Sequence, residues 1–144
     1  MDDVPAIRAT LEALYAWVSG PAGRRDPEAL ERLFVREGRL VPTRPATGGC
    51  SFEAHTPEAF AAEVNEARAA RPFFETQEET RVAVFGNLAH AWSQYATRTE
   101  PAAAPVSRGV NSVQLLKVDG AWKVLSIAWD EERPDNPLPR PYPP

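Results

Sequence analysis

The spacing of apolar residues changes once along this chain, near Pro72, and that change limits the folds it can form. Before Pro72 the apolar residues recur every three to four positions, which is typical of amphipathic helices. After Pro72 they alternate with other residues, which is typical of strands that have two distinct faces. Helices that come before the strands, instead of alternating with them, indicate an α+β domain.

Three helices are predicted before Pro72. The first covers residues 5–19. The second, "DPEALERLF", has Asp26 at its N-cap and Pro27 at its first position, which suits both residues. The third, "TPEAFAAEVNEARAA", repeats this arrangement with Thr56 and Pro57. Each segment has an apolar stripe that must be buried against another element.

Four strands are predicted after Pro72: "TRVAVF", "LAHAWSQYATR", "GVNSVQLLKV" and "AWKVLSIAW". A short early strand is predicted around "GRLVPT". Tight turns at Gly86-Asn87 and Asp119-Gly120 join the first and last pairs, and a glycine in first position suits a type II′ turn.

The Gly86-Asn87 turn also sets a register in which His90 and Trp92 share one face with Gln94. Both faces of this hairpin are partly apolar, so we expect both to be covered. Helices would cover one face, and a second subunit the other. A homodimer is therefore predicted.

In two segments the apolar residues show neither helical nor strand-like spacing. The first, "RPATGGCSFEAH" at 44–55, reads as a surface loop or a lid. The second lies in the proline-rich tail at 134–144, which must be extended. This tail is either a free terminus or a strap anchored by Leu138 and Tyr142. Residues 1–133 then form a single domain.

Composition excludes several classes of function. The chain has 144 residues and a net charge of −4, whereas nucleic-acid binders carry a basic face. Cys50 is the one cysteine, so the chain cannot form an internal disulfide framework or a thiolate zinc cluster. It has two histidines, so a transition-metal site would need carboxylates to complete it. No metal or cofactor is predicted. Without a signal peptide or an apolar span of about 20 residues, a cytoplasmic location away from membranes is expected.

The segment "RGVNSVQLLKVDGAWKVLSIAWDEERPDNPLP", together with "FGNLAHAW", resembles the SnoaL-like branch of the nuclear transport factor 2-like (NTF2-like) superfamily. This resemblance implies a cone-shaped fold in which three helices pack on a curved antiparallel sheet of four long strands plus the short early strand. The superfamily includes ketosteroid isomerases, dehydratases and cyclases, but also proteins that are not enzymes, so fold alone does not give function.

The resemblance implies roles for individual residues. The tyrosine that donates a hydrogen bond to the substrate in ketosteroid isomerases corresponds to Tyr15, and the pocket tryptophan corresponds to Trp129. A second donor falls near Gln114. The general base falls on Pro42, which cannot accept a proton, and this puts isomerisation by that route in doubt.

His90 is a candidate replacement for the missing base, because an imidazole titrates near neutral pH. The resulting hypothesis is a lyase or isomerase with His90 and Tyr15 as catalytic residues, and with Gln114, Trp129, Trp92 and Leu125 around a largely hydrophobic ligand. It requires His90, Tyr15 and Gln114 to face one cavity. The alternative is a non-catalytic ligand-binding or dimeric accessory domain, in which these side chains have only structural roles.

Overall fold

The structure is a computed structural model that describes residues 2–139. Within that range it contains three helices and six strands. The helices are α1 (Val4–Val18), α2 (Pro27–Glu31) and α3 (Pro57–Arg68). The strands are β1 (Phe34–Ala46), β2 (Gly49–Phe52), β3 (Phe74–Phe85), β4 (Leu88–Arg98), β5 (Ser107–Val118) and β6 (Ala121–Glu131).

The predicted helix starts are confirmed by their capping bonds. The side chain of Asp26 accepts a hydrogen bond from the Glu28 amide at 3.1 Å, and the Thr56 hydroxyl accepts one from the Ala59 amide at 3.1 Å. A proline follows each cap, where its missing N–H costs nothing. Among residues 2–139, no helix is long and apolar enough to cross a membrane. The second helix is shorter than predicted, because Phe34 already belongs to β1 and pairs with Val124.

The six strands form one curved, unclosed sheet in the order β2-β1-β6-β5-β4-β3. Strands β1 and β6 run parallel, and every other neighbouring pair is antiparallel. This confirms the α+β class and corrects the predicted strand count. The early strand is 13 residues long instead of short. The segment 44–55, predicted as a loop or lid, forms a hairpin between the end of β1 and β2.

The register predicted from the β3–β4 turn is confirmed. Gly86 has a φ of 60°, and Ala83 lies opposite His90 as expected from a two-residue turn. The alternation predicted for the last strand is wrong at one point. Leu125 is the extra residue of a β-bulge, since the pairing shifts there.

The core lies between α1, α2 and α3 and the concave face of the sheet. Its most buried side chains come from α1, α2 and the two central strands: Ile7, Leu11, Leu30, Val113, Leu115 and Val124. Burying a side chain of this size stabilises the fold by about 1.5 to 3 kcal/mol. This layer therefore fixes which face of the sheet lines the interior of the cone.

The other, convex face of the sheet is partly covered by the chain's own C-terminal segment. Leu138 is buried, and its amide donates a hydrogen bond to a Glu132 carboxylate oxygen at 3.2 Å. It lines a cleft of about 340 Å³ together with Trp92 and Val110. Leu138 is therefore held against the sheet, and the second predicted anchor, Tyr142, lies outside the described residues.

Candidate functional site

A small inner cavity of about 70 Å³ lies between α1 and the concave face of the sheet. Three residues bring polar groups to its wall: Tyr15 from α1, Glu75 from β3 and Asn111 from β5. The rest of the wall is apolar or aromatic: Leu11, Leu14, Trp17, Val18, Leu30, Leu40, Phe60, Val113, Ile127 and Trp129. Since roughly 10 to 15 Å³ is enough for one water, the cavity has room for a few waters or for one end of a ligand.

A chain of hydrogen bonds runs away from this cavity through the interior. The Asn111 amide donates to the Tyr15 hydroxyl at 3.0 Å, and that hydroxyl lies 2.7 Å from the Ser93 hydroxyl. Ser93 in turn lies 2.8 Å from the Thr80 hydroxyl, which donates to Gln77 at 2.7 Å. Because the Thr80 proton goes to Gln77, Ser93 donates to Thr80. The Ser93 hydroxyl therefore accepts from Tyr15. Each hydroxyl in this chain has a hydrogen-bond partner, as buried polar groups must.

Glu75 is the titratable group at the cavity end of this network. Burial raises the pKa of its carboxyl from 4.5 to about 7, and this outweighs the opposing effects of a hydrogen bond from Asn111 and of the positive charge on Arg68. Burial also raises the pKa of Tyr15, so its phenol stays neutral. Near pH 7 the carboxyl of Glu75 can therefore both accept and release a proton.

A larger open cleft of about 770 Å³ lies beside the inner cavity and is lined by residues of β1, α3 and β6. Phe60 and Trp129 line both spaces, and their rings meet edge to face with centroids 5.7 Å apart. The rim of the cleft carries charges of both signs, among them Arg68 and Glu63. A volume of this size is typical of small-molecule sites, and the aromatic pair separates it from Glu75.

The structure brings only part of the predicted site together. Tyr15 and Trp129 both line the inner cavity. His90 and Gln114 instead contact each other, with Gln114 Nε2 2.6 Å from His90 Nδ1. Because side chains alternate along β4 and Ser93 faces Tyr15, His90 must face the opposite side of the sheet. The combination of His90, Tyr15 and Gln114 around one cavity is therefore not formed.

The two other predicted ligand contacts also lie away from the inner cavity. Trp92 is on the convex face, in the cleft that Leu138 lines. Leu125 is at the β-bulge and is not part of the cavity wall. The bulge gives the physical reason, since the extra residue lets Val124 and Ile127 both be buried next to β5 residues.

Sequence reasoning did not identify Glu75 or Ser93 as interior polar groups. Glu75 begins the charged run "ETQEETR", which suggests a solvated strand. Asn111 did carry a signal, because an amide among alternating aliphatic residues needs a partner. Its partner is the Tyr15 hydroxyl of α1, to which the Asn111 amide donates at 3.0 Å.

Comparison with known proteins is informative for the fold. No protein-family model and no curated protein matches the chain. Solved structures do match. An NTF2-like protein of unknown function from Silicibacter pomeroyi is 21% identical with a TM-score of 0.62, and the match covers 90% of this chain and 95% of that one.

Two further solved structures agree. A protein of unknown function with a cystatin-like fold from Nostoc punctiforme is 13% identical with a TM-score of 0.70, over 95% and 96% of the two chains. An NTF2-like protein with a cystatin-like fold from Novosphingobium aromaticivorans is 18% identical with a TM-score of 0.68, over 88% and 80%. Identities this low establish the fold alone, and that fold is the fold of the NTF2-like superfamily.

Proposed function

We propose that this protein binds a small, largely hydrophobic molecule in its cone and acts on it as a lyase or isomerase, with Glu75 as the acid-base group. One observation carries the proposal: a carboxyl with a pKa raised to about 7 lies on the wall of a largely apolar cavity, next to Tyr15 and Asn111. Perturbed carboxyls in such clefts are typical of catalytic sites.

The proposed division of roles follows from the two adjoining spaces. The body of the ligand occupies the 770 Å³ cleft, and its reactive end passes Phe60 and Trp129 to reach Glu75. Glu75 removes a proton next to a carbonyl or returns one. Asn111, which donates to the Tyr15 hydroxyl and lines the cavity with Glu75, adds a polar group beside the carboxyl. A positioned acid-base group of this kind contributes about 10² to 10⁴ in rate.

The test measures proton transfer without knowledge of the natural substrate. Small cyclic ketones of increasing size are incubated with the full chain in D₂O, and loss of their α-protons is followed by ¹H NMR. We expect exchange with at least one ketone, reduced about 10²-fold or more in Glu75→Gln. Glu79→Gln is the matched control, because Glu79 is an exposed residue of the same strand.

Two results would contradict the catalytic proposal. One is exchange that Glu75→Gln leaves unchanged, and the other is no exchange for a ketone that demonstrably binds. A His90→Gln variant runs in parallel. If it loses exchange and Glu75→Gln does not, the chemistry belongs to the convex face of the sheet and not to the cone.

A non-catalytic ligand-binding or accessory domain is the second candidate, and one observation favours it. The Tyr15 hydroxyl already accepts from Asn111 and donates to Ser93, so it has no free proton for a ligand carbonyl. In this case Trp129→Phe would weaken ketone binding. Neither the wild type nor any variant would exchange the α-protons of a ketone faster than buffer alone does.

We also propose that two copies of the chain associate through the convex face of the sheet. Phe85 and Leu88, at one end of this face, are 87% and 48% exposed, and Trp92 lies further along it. Exposed apolar groups on one sheet face favour a partner with the same surface. Sedimentation should give a dimer at micromolar concentration, and Phe85→Ser should shift it toward monomer. A monomeric wild type would refute the proposal.

A further inference from the structure

Two carboxylates converge on one imidazole at the rim of the outer cleft. His55 Nε2 lies 3.2 Å from an oxygen of Glu53 and 3.5 Å from an oxygen of Glu63. One donor atom from each of the three residues can be chosen so that all lie within 4.8 Å of one another. They line a side cleft of about 250 Å³, and Glu63 also lines the 770 Å³ cleft.

The fold fixes His55 more firmly than it fixes the two glutamates. The backbone of His55 exchanges two hydrogen bonds with Leu40 of β1, at 2.8 and 2.9 Å, and its side chain is only 13% exposed. Glu63 belongs to α3. That helix begins just after His55, with Thr56 as its N-cap and Pro57 as its first residue. The side chains of Glu53 and Glu63 are 76% and 62% exposed, so each can rotate toward a shared ligand.

The separations match those expected around a divalent metal ion. Donor atoms about 2.0 to 2.2 Å from one zinc ion lie roughly 3.0 to 3.5 Å apart when they occupy neighbouring positions. Two carboxylates this close to one nitrogen repel each other unless a positive charge is placed among them. Imidazole nitrogen with carboxylate oxygen is a donor set that suits zinc and similar first-row metals.

We propose that Glu53, His55 and Glu63 form a binding site for one divalent first-row metal ion such as Zn²⁺, with water completing its coordination. The site lies on the wall of the outer cleft and is separate from Glu75. The charged residue Arg44 lines the same side cleft. Its positive charge opposes that of the metal, so Arg44→Gln should strengthen binding.

The experiment is calorimetric titration of tag-free full-length protein with Zn²⁺ at pH 7.5 in a buffer that does not chelate metals. We expect one ion per chain, and an affinity lower by about tenfold or more in His55→Gln and in Glu63→Gln. The matched controls are His90→Gln, at the other histidine, and Glu66→Gln, at an exposed glutamate of the same helix. Both should bind zinc like the wild type.

Three outcomes would overturn the proposal: no zinc binding, binding that His55→Gln and Glu63→Gln leave unchanged, or binding lost in Cys50→Ser, which would assign the metal to the exposed thiol. Binding that His90→Gln weakens equally would also count against it. Melting temperatures without zinc separate loss of a ligand from loss of the fold. Glu63 is the safer variant here because its side chain is mostly exposed.

Discussion

Replacing Glu75 with glutamine should change how the stability of the protein depends on pH. The Glu75 carboxyl has a pKa of about 7 in the folded protein and an ordinary value of 4.5, the difference being caused chiefly by burial. Below pH 4.5 the group is protonated in both the folded and unfolded states. Between pH 4.5 and about 7 the folded protein keeps a proton that the unfolded chain has released, so wild-type stability falls as pH rises.

The magnitude follows from the two pKa values. Each pH unit in this window corresponds to about 1.4 kcal/mol, so the full loss between pH 4.5 and about 7 is about 3 to 4 kcal/mol, and it is complete above about pH 7. Glutamine does not titrate, so Glu75→Gln lacks this loss. Relative to the wild type, the variant should gain about 3 to 4 kcal/mol in free energy of unfolding between pH 4.5 and 8.

Urea unfolding followed by tryptophan fluorescence, repeated from pH 4.5 to 8, gives the free energy of unfolding of both proteins. Contributions that the two proteins share cancel in the difference between their free energies of unfolding. Glu79→Gln, at an exposed position of the same strand, should stay within about 0.5 kcal/mol of the wild type throughout. A wild-type-to-Glu75→Gln difference that does not vary with pH would refute the burial argument and the acid-base role with it.

Three further substitutions test the interior. Tyr15→Phe should destabilise the fold by about 1 to 3 kcal/mol in urea unfolding, because Asn111 and Ser93 lose a buried partner; an unchanged midpoint would mean that the network is not formed. Gly109→Ala should cost about 1 to 3 kcal/mol, since a Cβ there would lie 2.6 Å from the Tyr95 ring carbon Cζ; a melting temperature equal to wild type would contradict that close approach. Leu115→Ala should cost about 2 to 5 kcal/mol by the same measurement, because Leu115 is fully buried, and a loss below 1 kcal/mol would place it outside the core.

Features that depend on neighbouring residues could be predicted from the sequence. The helix caps and the β3–β4 register need only a few residues each, such as Thr56 with Pro57, or Gly86 with its positive φ. Their geometry is set by local sterics and local hydrogen bonds. Because side chains alternate between the two faces of a strand, the register at the turn determines the pairing along the whole strand. The α+β class followed from the order of helical and strand periods, whereas the NTF2-like fold was expected from a resemblance to that superfamily.

Features that depend on distant packing could not be predicted. The turn places His90 and Trp92 on one face, but both faces of β4 are partly apolar, so the sequence does not say which of them the helices cover. Glu75 belongs to a charged run, and no local pattern shows that its side chain is partly buried against Tyr15 of α1. The parallel pairing of β1 with β6 leaves no local pattern in either strand.

That pairing also has a consequence for how the protein is made. Strand β1 lies between β2, a strand of four residues, and β6, and its Thr43 hydroxyl donates to the carbonyl of Trp129, 86 positions later. During synthesis on a ribosome one edge of β1 pairs early with β2, but the other edge has no lasting partner until β6 emerges. Contacts between such distant segments form slowly and leave strand edges open to wrong partners. The nascent chain is accordingly most prone to aggregation just before β6 is completed, and a product that stops short of Trp129 would keep that edge exposed.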